Sequence, residues 1–348
     1  MSKARKVIAI DFGGVNIEAA VVTEDGSVLR PRFRRPTGHT RPGSEIADDI
    51  AGLVSKLRRA HPDTVAAAVG SPGIIDVVTG DYVFDPCNCP NWRRDGPVNL
   101  KKRVEAVAGV PCFVNNDAQV FAAGEERWGA ARRSGRRTGT RTSASSRCWL
   151  FLTLGTGIGG ALRVNGRDFW GANNVIEIGH TCVDFTDSAC LCGCGLRGCA
   201  EAYCSNTAIA GEALRHIRCG KLPPPVQKGS AGRRRPSSAW DAIQDEVDAR
   251  YVYDLARAGQ PVARAILDRA HAALATLIAN FGNGLSIDLC VIGGGLTKAG
   301  DYLFADVQQK VNARLLPIAK VEVVPAALGD DFALLGAGAF ALDMIDAR

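Results

Sequence analysis

No run of apolar residues in this 348-residue chain approaches the ~18–20 needed for a membrane-spanning helix. After Met1-Ser2-Lys3-Ala4-Arg5-Lys6 only four apolar residues precede Asp11, too few for a signal-peptide core, so a cytoplasmic protein is expected. Acid is missing from one place: between Arg132 and Arg147 there are six arginines and no Asp or Glu. Without that segment the basic and acidic residues balance at 36 each, so the overall excess of 42 over 36 is no evidence for a nucleic-acid-binding fold. The segment reads as a solvated loop. The alternative is a loop that attracts a polyanion, whose binding would weaken as salt rises.

What is present is ample core. Hydrophobic residues make up 46% and charged residues 22%, which fits globular usage and excludes wholesale disorder. The length exceeds the ~250–300 residues at which one core stops growing, so two lobes are expected. Twelve cysteines in a long chain without a secretory signal point to metal or burial rather than a disulfide framework. Five of them fall between Cys190 and Cys204, a clustering that burial alone does not explain.

Val7-Ile8-Ala9-Ile10 reads as a strand running into Asp11-Phe12-Gly13-Gly14. Ile17 to Thr23 follows as a second strand, Asp25-Gly26 as a hairpin turn, and Val28 opens a third strand, giving an antiparallel meander. Ile46, Ile50, Leu53, Val54 and Leu57 share one helical face behind a possible Ser44 cap. Val65 to Val69 and Cys112 to Val114 are strand-like, and Asn115-Asn116-Asp117 leads into a helix from Ala118 to about Trp128, with Asp117 at or beside its N-terminus. A second series then begins like the first: strand Trp149 to Leu154, glycine turn Gly155-Thr156-Gly157-Ile158-Gly159-Gly160, strand Ala161 to Val164, and turn Asn165-Gly166. This repetition suggests a duplicated fold. A helix from Val262 to Phe281, a strand from Ile287 to Ile292, Gly293-Gly294-Gly295 and a terminal helix from Asp331 complete the pattern, and 219–238 reads as an exposed loop.

His180 followed by Cys192, Cys194 and Cys199 supplies one imidazole and three thiols, a full tetrahedral shell for a structural zinc ion. Cys190 and Cys204 compete for a ligand place. The two glycine turns that follow buried strands free backbone N–H groups to converge on phosphate oxygens, and an acid at a strand end can hold magnesium through water.

These residues resemble the repressor/open-reading-frame/kinase (ROK) family of sugar kinases, and in particular its glucokinases. The most specific elements are Glu177-Ile178-Gly179-His180 and the Cys-x-Cys-Gly-x-x-Gly-Cys-x-Glu run from Cys192 to Glu201. Gly70-Ser71-Pro72-Gly73, Asn116-Asp117 and Leu328-Gly329-Asp330-Asp331 also match. The resemblance implies an α/β, two-lobed, actin-like (ribonuclease H-like) duplicated fold with a central cleft and a structural zinc loop. It divides the chain into an N-terminal lobe over 1–125 and a C-terminal lobe over 126–330, with the zinc loop at 180–201 and insertions at 132–147 and 219–238. The terminal helix, 331–348, returns to the first lobe. A homodimer is expected on the same ground.

The activity so implied is transfer of the ATP γ-phosphate to a hexose hydroxyl, with the glucose 6-OH as first choice because Asn88-Cys89-Pro90-Asn91-Trp92 resembles the Asn-Leu-x-x-Trp loop of the family's glucokinases. Fructose, mannose or an N-acetylated aminosugar are the alternatives. Asp117 is implied as the base, and Gly73, Asn116, Glu177, His180 and Glu201 as sugar partners. Asp11, Gly13, Gly14, Thr156 and Gly157 are implied for phosphate and magnesium, and Gly294 and Gly295 for adenosine. The family's usual Gly-Gly-Thr is here Gly13-Gly14-Val15, followed by Asn16, which motivates a further reading as a sugar binder without transfer. A sugar-responsive repressor would need a helix-turn-helix, for which the stretch before Val7 is too short.

Overall fold

The computed structural model describes residues 4–86, 88–137, 147–172, 174, 176–225, 243–244 and 246–347. They divide into two compact units, the first comprising 1–143, 161–176 and 326–348, the second 144–160 and 177–325.

The strands are β1 (Lys6–Phe12), β2 (Asn16–Thr23), β3 (Val28–Pro36), β4 (Thr64–Ser71), β5 (Ile74–Ile75), β6 (Tyr82–Phe84), β7 (Cys112–Asn116), β8 (Trp149–Leu154), β9 (Ile158–Val164), β10 (Arg167–Phe169), β11 (Leu289–Gly293) and β12 (Glu322–Pro325). The helices are α1 (Gly43–Ala60), α2 (Leu100–Ala108), α3 (Asp117–Arg127), α4 (Ala130–Arg137), α5 (Glu201–Cys204), α6 (Asn206–Arg218), α7 (Ala249–Arg257), α8 (Pro261–Leu285), α9 (Asp301–Asn312) and α10 (Phe332–Asp346). Among the described residues no helix is long and apolar enough to cross a membrane.

The first sheet has the order β3-β2-β1-β4-β7, with β1 to β3 antiparallel and β1, β4 and β7 parallel. Side chains of β1 alternate between its faces, and both faces are covered, which is why the strand reads as a continuous apolar run. Ile8 and Ile10 join Ile46, Ile50, Val54 and Leu57 of α1 and Trp92 on one side. Val7 and Ala9 join Phe113 and the Leu334 to Leu342 stretch of α10 on the other. The second sheet has the matching order β10-β9-β8-β11-β12, with β11 parallel to both β8 and β12. This is the expected duplication of one α/β pattern.

Two local expectations are corrected, those for the α1 cap and the arginine-rich segment, while Asp117 stands at the α3 N-terminus as expected. Helix α1 is preceded by Pro42, held at φ −55°, ψ 144°, and not by Ser44, whose hydroxyl donates to Asp95 at 3.0 Å. The cap of α3 is Asn116, which accepts the Ala118 amide at 3.0 Å, so Asp117 is the first helical residue and keeps its carboxylate off the cap. The arginine-rich segment begins as helix α4, not as a loop; 138–146 lie outside the described residues, as do 226–238 of the second expected loop.

One buried charge in the first unit has its partners. Arg163, only 7% exposed, makes ion pairs with Asp168 at 2.8 Å, Asp343 at 3.4 Å and Glu126. Three carboxylates surround one guanidinium, which ties β9 and β10 to α3 and α10.

Candidate active site

The parallel register of the first sheet brings the nominated residues of that unit together. Asp11 lies beside Gly70, and Gly70 beside Asn115, so the C-terminal ends of β1, β4 and β7 form one row, with Asn116 and Asp117 directly beyond it. Ligands of α/β sheets bind at this end of the strands. Asp11 is pushed up to about 7, first by burial and then by the charges of Asp117 and of Glu18, its cross-strand neighbour. A cation would relieve that crowding, and a set of carboxylates is the chemistry that magnesium takes. Asn116 donates to the Gly73 carbonyl at 3.0 Å, which ties the Gly70–Gly73 turn to the start of α3.

The turn after β1 is held from behind. The Thr37 hydroxyl donates to Gly13 O at 2.6 Å and its amide to Val15 O at 2.8 Å. Val15 itself is 77% exposed. The Asn88 side chain lies so close to Gly14 that any side chain at that position would collide with it. The Asn88–Trp92 loop is anchored by Trp92, which is buried and stacks on Phe12 with ring centroids 5.5 Å apart.

In the second unit the nominated residues gather in a similar way. Thr153 lies beside Gly293 in the register of β8 and β11, so the turns Gly155–Gly157 and Gly294–Gly295 leave the sheet side by side. Gly155, Thr156 and Gly295 line a cavity of about 670 Å³. Thr156 is held by the Thr207 hydroxyl, which donates to its carbonyl at 2.8 Å. The remaining wall, including Asn206, Tyr253, Arg257 and Lys298, carries functional candidates that the sequence did not mark. They come from α6, α7 and the turn before α9, and no short motif links them.

His180, Cys192, Cys194 and Cys199 place their ligand atoms within 4.8 Å of one another. The Cys194 and Cys199 sulfurs are 3.7 Å apart, and His180 Nδ1 is 3.6 Å from the Cys192 sulfur. A tetrahedral zinc ion with ~2.3 Å sulfur and ~2.0–2.1 Å nitrogen bonds requires separations of about 3.8 and 3.5 Å, so the donor set fits. The two competitors point elsewhere. Cys190 lies 3.6 Å from Arg269, and Cys204 is buried with its thiol on the Ala200 carbonyl at 3.2 Å.

The cluster also meets the glycine turn. Glu201 accepts the Ile158 amide at 2.8 Å through Oε2, and its Oε1 lies 3.8 Å from the Cys192 sulfur. The Glu177 carbonyl accepts the His180 amide at 3.0 Å, so Glu177 stands at the entry of the short 3-10 turn that carries the histidine. The candidates thus form two sets. Asp11, Gly13, Gly14, Gly73, Asn116 and Asp117 belong to the first unit. Thr156, Gly157, Glu177, His180, Glu201, Gly294, Gly295 and the three cysteines belong to the second.

Comparison with known proteins places this arrangement. A sequence model of the ROK family matches residues 7–344. A glucokinase of Thermotoga maritima is 31% identical over 345 residues, covering 98% of each chain. An N-acetylmannosamine kinase of Yersinia pseudotuberculosis is 30% identical over 341 residues, 97% of this chain and 98% of its own. Among solved structures, a ROK family glucokinase from Streptomyces griseus in complex with glucose and AMPPNP aligns with a TM-score of 0.73 at 27% identity, over 97% of this chain and 99% of that one.

Proposed function

The chain belongs to the ROK family, and from that premise we propose that it is an ATP-dependent sugar kinase, with glucose phosphorylated at its 6-OH as the first choice of reaction. The observation that carries this reading is the row at the C-terminal ends of β1, β4 and β7, which sets Asp11 before a glycine turn with Asp117 directly beyond β7. Phosphoryl transfer needs such a pair: one acid for the metal and one for the proton of the attacking hydroxyl.

In this reading Asp117 accepts the hydroxyl proton. A carboxylate suffices because the transition state is loose and the proton leaves late, so positioning matters more than basicity. Asp11 would hold magnesium through water, and the metal would neutralise charge on the donor phosphates. The Gly13 amide closes its own turn on the Asn16 carbonyl at 3.0 Å, which leaves the Gly14 amide and the turn at Thr156–Gly157 to receive the phosphates, while Gly294 and Gly295 border the adenosine. Asn116, Gly73, Glu177, Glu201 and His180 bind the sugar hydroxyls. Each carboxylate accepts from two neighbouring hydroxyls, and His180 uses the ring nitrogen that does not face Cys192. Zinc would fix the loop that presents Glu201.

Support for glucose comes from the Thermotoga and Streptomyces relatives and from the Asn88–Trp92 loop packed against Phe12 and Gly14. The Yersinia relative makes an N-acetylated aminosugar the main alternative. The test is ADP release from magnesium-ATP over a panel of hexoses and aminosugars, with Asp117→Asn beside the wild type. Turnover with one sugar, lost in the variant, is the expected result. Absence of turnover with every sugar, in zinc-loaded protein, would reject the proposal.

One observation favours a second reading, a sugar binder without transfer. The exposed Val15 stands where the family has a threonine, and the nearby Thr37 hydroxyl is already engaged by Gly13 O. A large gain of activity in Val15→Thr would support impaired transfer in the natural protein.

A further inference from the structure

Three side chains from α7, α8 and α9 form one hydrogen-bonded line behind the wall of the second unit's cavity. Tyr253 lines the cavity, and its hydroxyl lies 2.7 Å from His271 Nε2. His271 Nδ1 lies 2.7 Å from Asp306 Oδ2. The other Asp306 oxygen accepts from Lys310 at 2.8 Å, and Lys310 also pairs with Asp268 at 2.8 Å. Tyr253 and His271 are both buried.

The direction of the line follows from its end. An ionised carboxylate only accepts, so Nδ1 carries the imidazole proton, Nε2 offers its lone pair, and the Tyr253 hydroxyl donates to it. Burial depresses the His271 pKa, against the pull of Asp306, and burial raises that of Tyr253. Imidazole and phenol are therefore both neutral, and every polar atom of the line has its partner.

The consequence reaches the cavity surface. Arg257 lies over the rings of Tyr253 and Tyr302, 5.9 Å from each centroid, and donates to the Ala299 carbonyl at 2.7 Å. Arg257 and Ala299 both line the cavity. Fixing Tyr253 thus fixes a cationic side chain and the turn after Gly295. None of Tyr253, His271 or Asp306 was nominated by the sequence.

We infer that the Asp306–His271–Tyr253 line is a positioning device for the phosphoryl donor, holding Tyr253 and Arg257 in the arrangement that accepts a nucleotide. The inference rests on the donor reading of this cavity given above. It carries a pH signature. A second proton on His271 makes Nε2 a donor, so its bond to the Tyr253 oxygen reverses and the buried phenol proton loses its acceptor. The groups facing the pair are Asp268 on α8, Tyr302, Asp306 and Lys310 on α9, Arg257 on α7 and Cys204 on α5. Acidification therefore loosens the wall.

The test is binding of magnesium-AMPPNP to the full chain by calorimetry, alongside steady-state kinetics. Tyr253→Phe keeps the ring and deletes only the hydroxyl. The expected result is a rise of about three- to tenfold in Kd for AMPPNP and in KM for ATP, with kcat and hexose KM within about twofold. His271→Gln, whose amide can still bond one neighbour, should bind more tightly than His271→Leu. Wild-type affinity should fall as the pH is taken below the ordinary imidazole value of 6.5, because burial lowers the His271 pKa, and that of Tyr253→Phe should stay flat. A folded Tyr253→Phe protein with wild-type affinity and pH profile overturns the inference, as does equal loss from the Gln and Leu variants. If the wild type binds no nucleotide, the donor reading falls first and takes the inference with it. If it binds and the variants do not respond, the inference alone falls.

Discussion

Glu201 Oε2 would stand 2.5 Å from a side-chain carbon placed on Gly157. The same oxygen accepts the Ile158 amide, so the glycine turn and the end of the His180–Cys199 loop are locked through one carboxylate. Gly157→Ala must push Glu201 aside and leave that amide without its partner, at a cost of about 1–3 kcal/mol. We expect the KM for the hexose to rise by on the order of tenfold while the zinc content stays unchanged. Kinetics and elemental analysis on the same preparation check this, and a wild-type KM would sink it.

Elemental analysis should find zinc in protein prepared without chelators. Cys199→Ser should lose it together with several kcal/mol of stability, because metal binding at such a site is folding free energy. Cys190→Ser should keep its zinc, since that thiol faces Arg269. Equal zinc loss in the two variants would contradict the ligand set.

The neighbours Asn116 and Asp117 should separate stability from turnover. Asn116→Ala removes the cap of α3 and the bond to Gly73, costing about 1–2 kcal/mol in denaturant unfolding. Asp117→Asn touches neither bond and should unfold like the wild type, yet lose about 10²- to 10⁴-fold in kcat. Comparable destabilisation of both would mean that Asp117 is structural.

His271 gives a stability prediction with a definite sign. Its folded pKa lies below the ordinary 6.5, so the unfolded chain binds the proton first as pH falls. The stabilisation is complete above about pH 6.5 and is lost as pH falls through the folded pKa. Between pH 7 and 5 the wild type should lose stability that His271→Gln keeps. Parallel pH profiles for the two proteins would refute it.

How much of this could be read from the chain follows from the range of each interaction. Strand β8, Trp149–Leu154, is read to the residue because apolar side chains end at a glycine turn on one side and a polar segment on the other. The candidate metal ligands are legible because three of the four donors, Cys192, Cys194 and Cys199, fall within eight residues, and His180 stands twelve residues before them. Helix α8 was read short at both ends. Its cap is Gln260, an uncommon choice that accepts the Ala263 amide at 2.9 Å, and its last turn passes through Gly282 and Gly284 before Ser286 adopts the left-handed conformation. Arg163 gives no sign in the sequence of its burial, because the acids that permit it come from Glu126, Asp168 and Asp343, far apart in the chain. The cavity wall is hidden for the same reason. Tyr253 and Lys298 acquire a common purpose only after the helices have packed.

The matched order of the two sheets carries one more consequence. Asp11 pairs across its sheet with Gly70, and the residue in the corresponding place of the other sheet, opposite Gly293, is Thr153. One copy of the repeated backbone therefore ends its leading strand in a charge and the other in an uncharged hydroxyl. The symmetry is one of shape and not of chemistry.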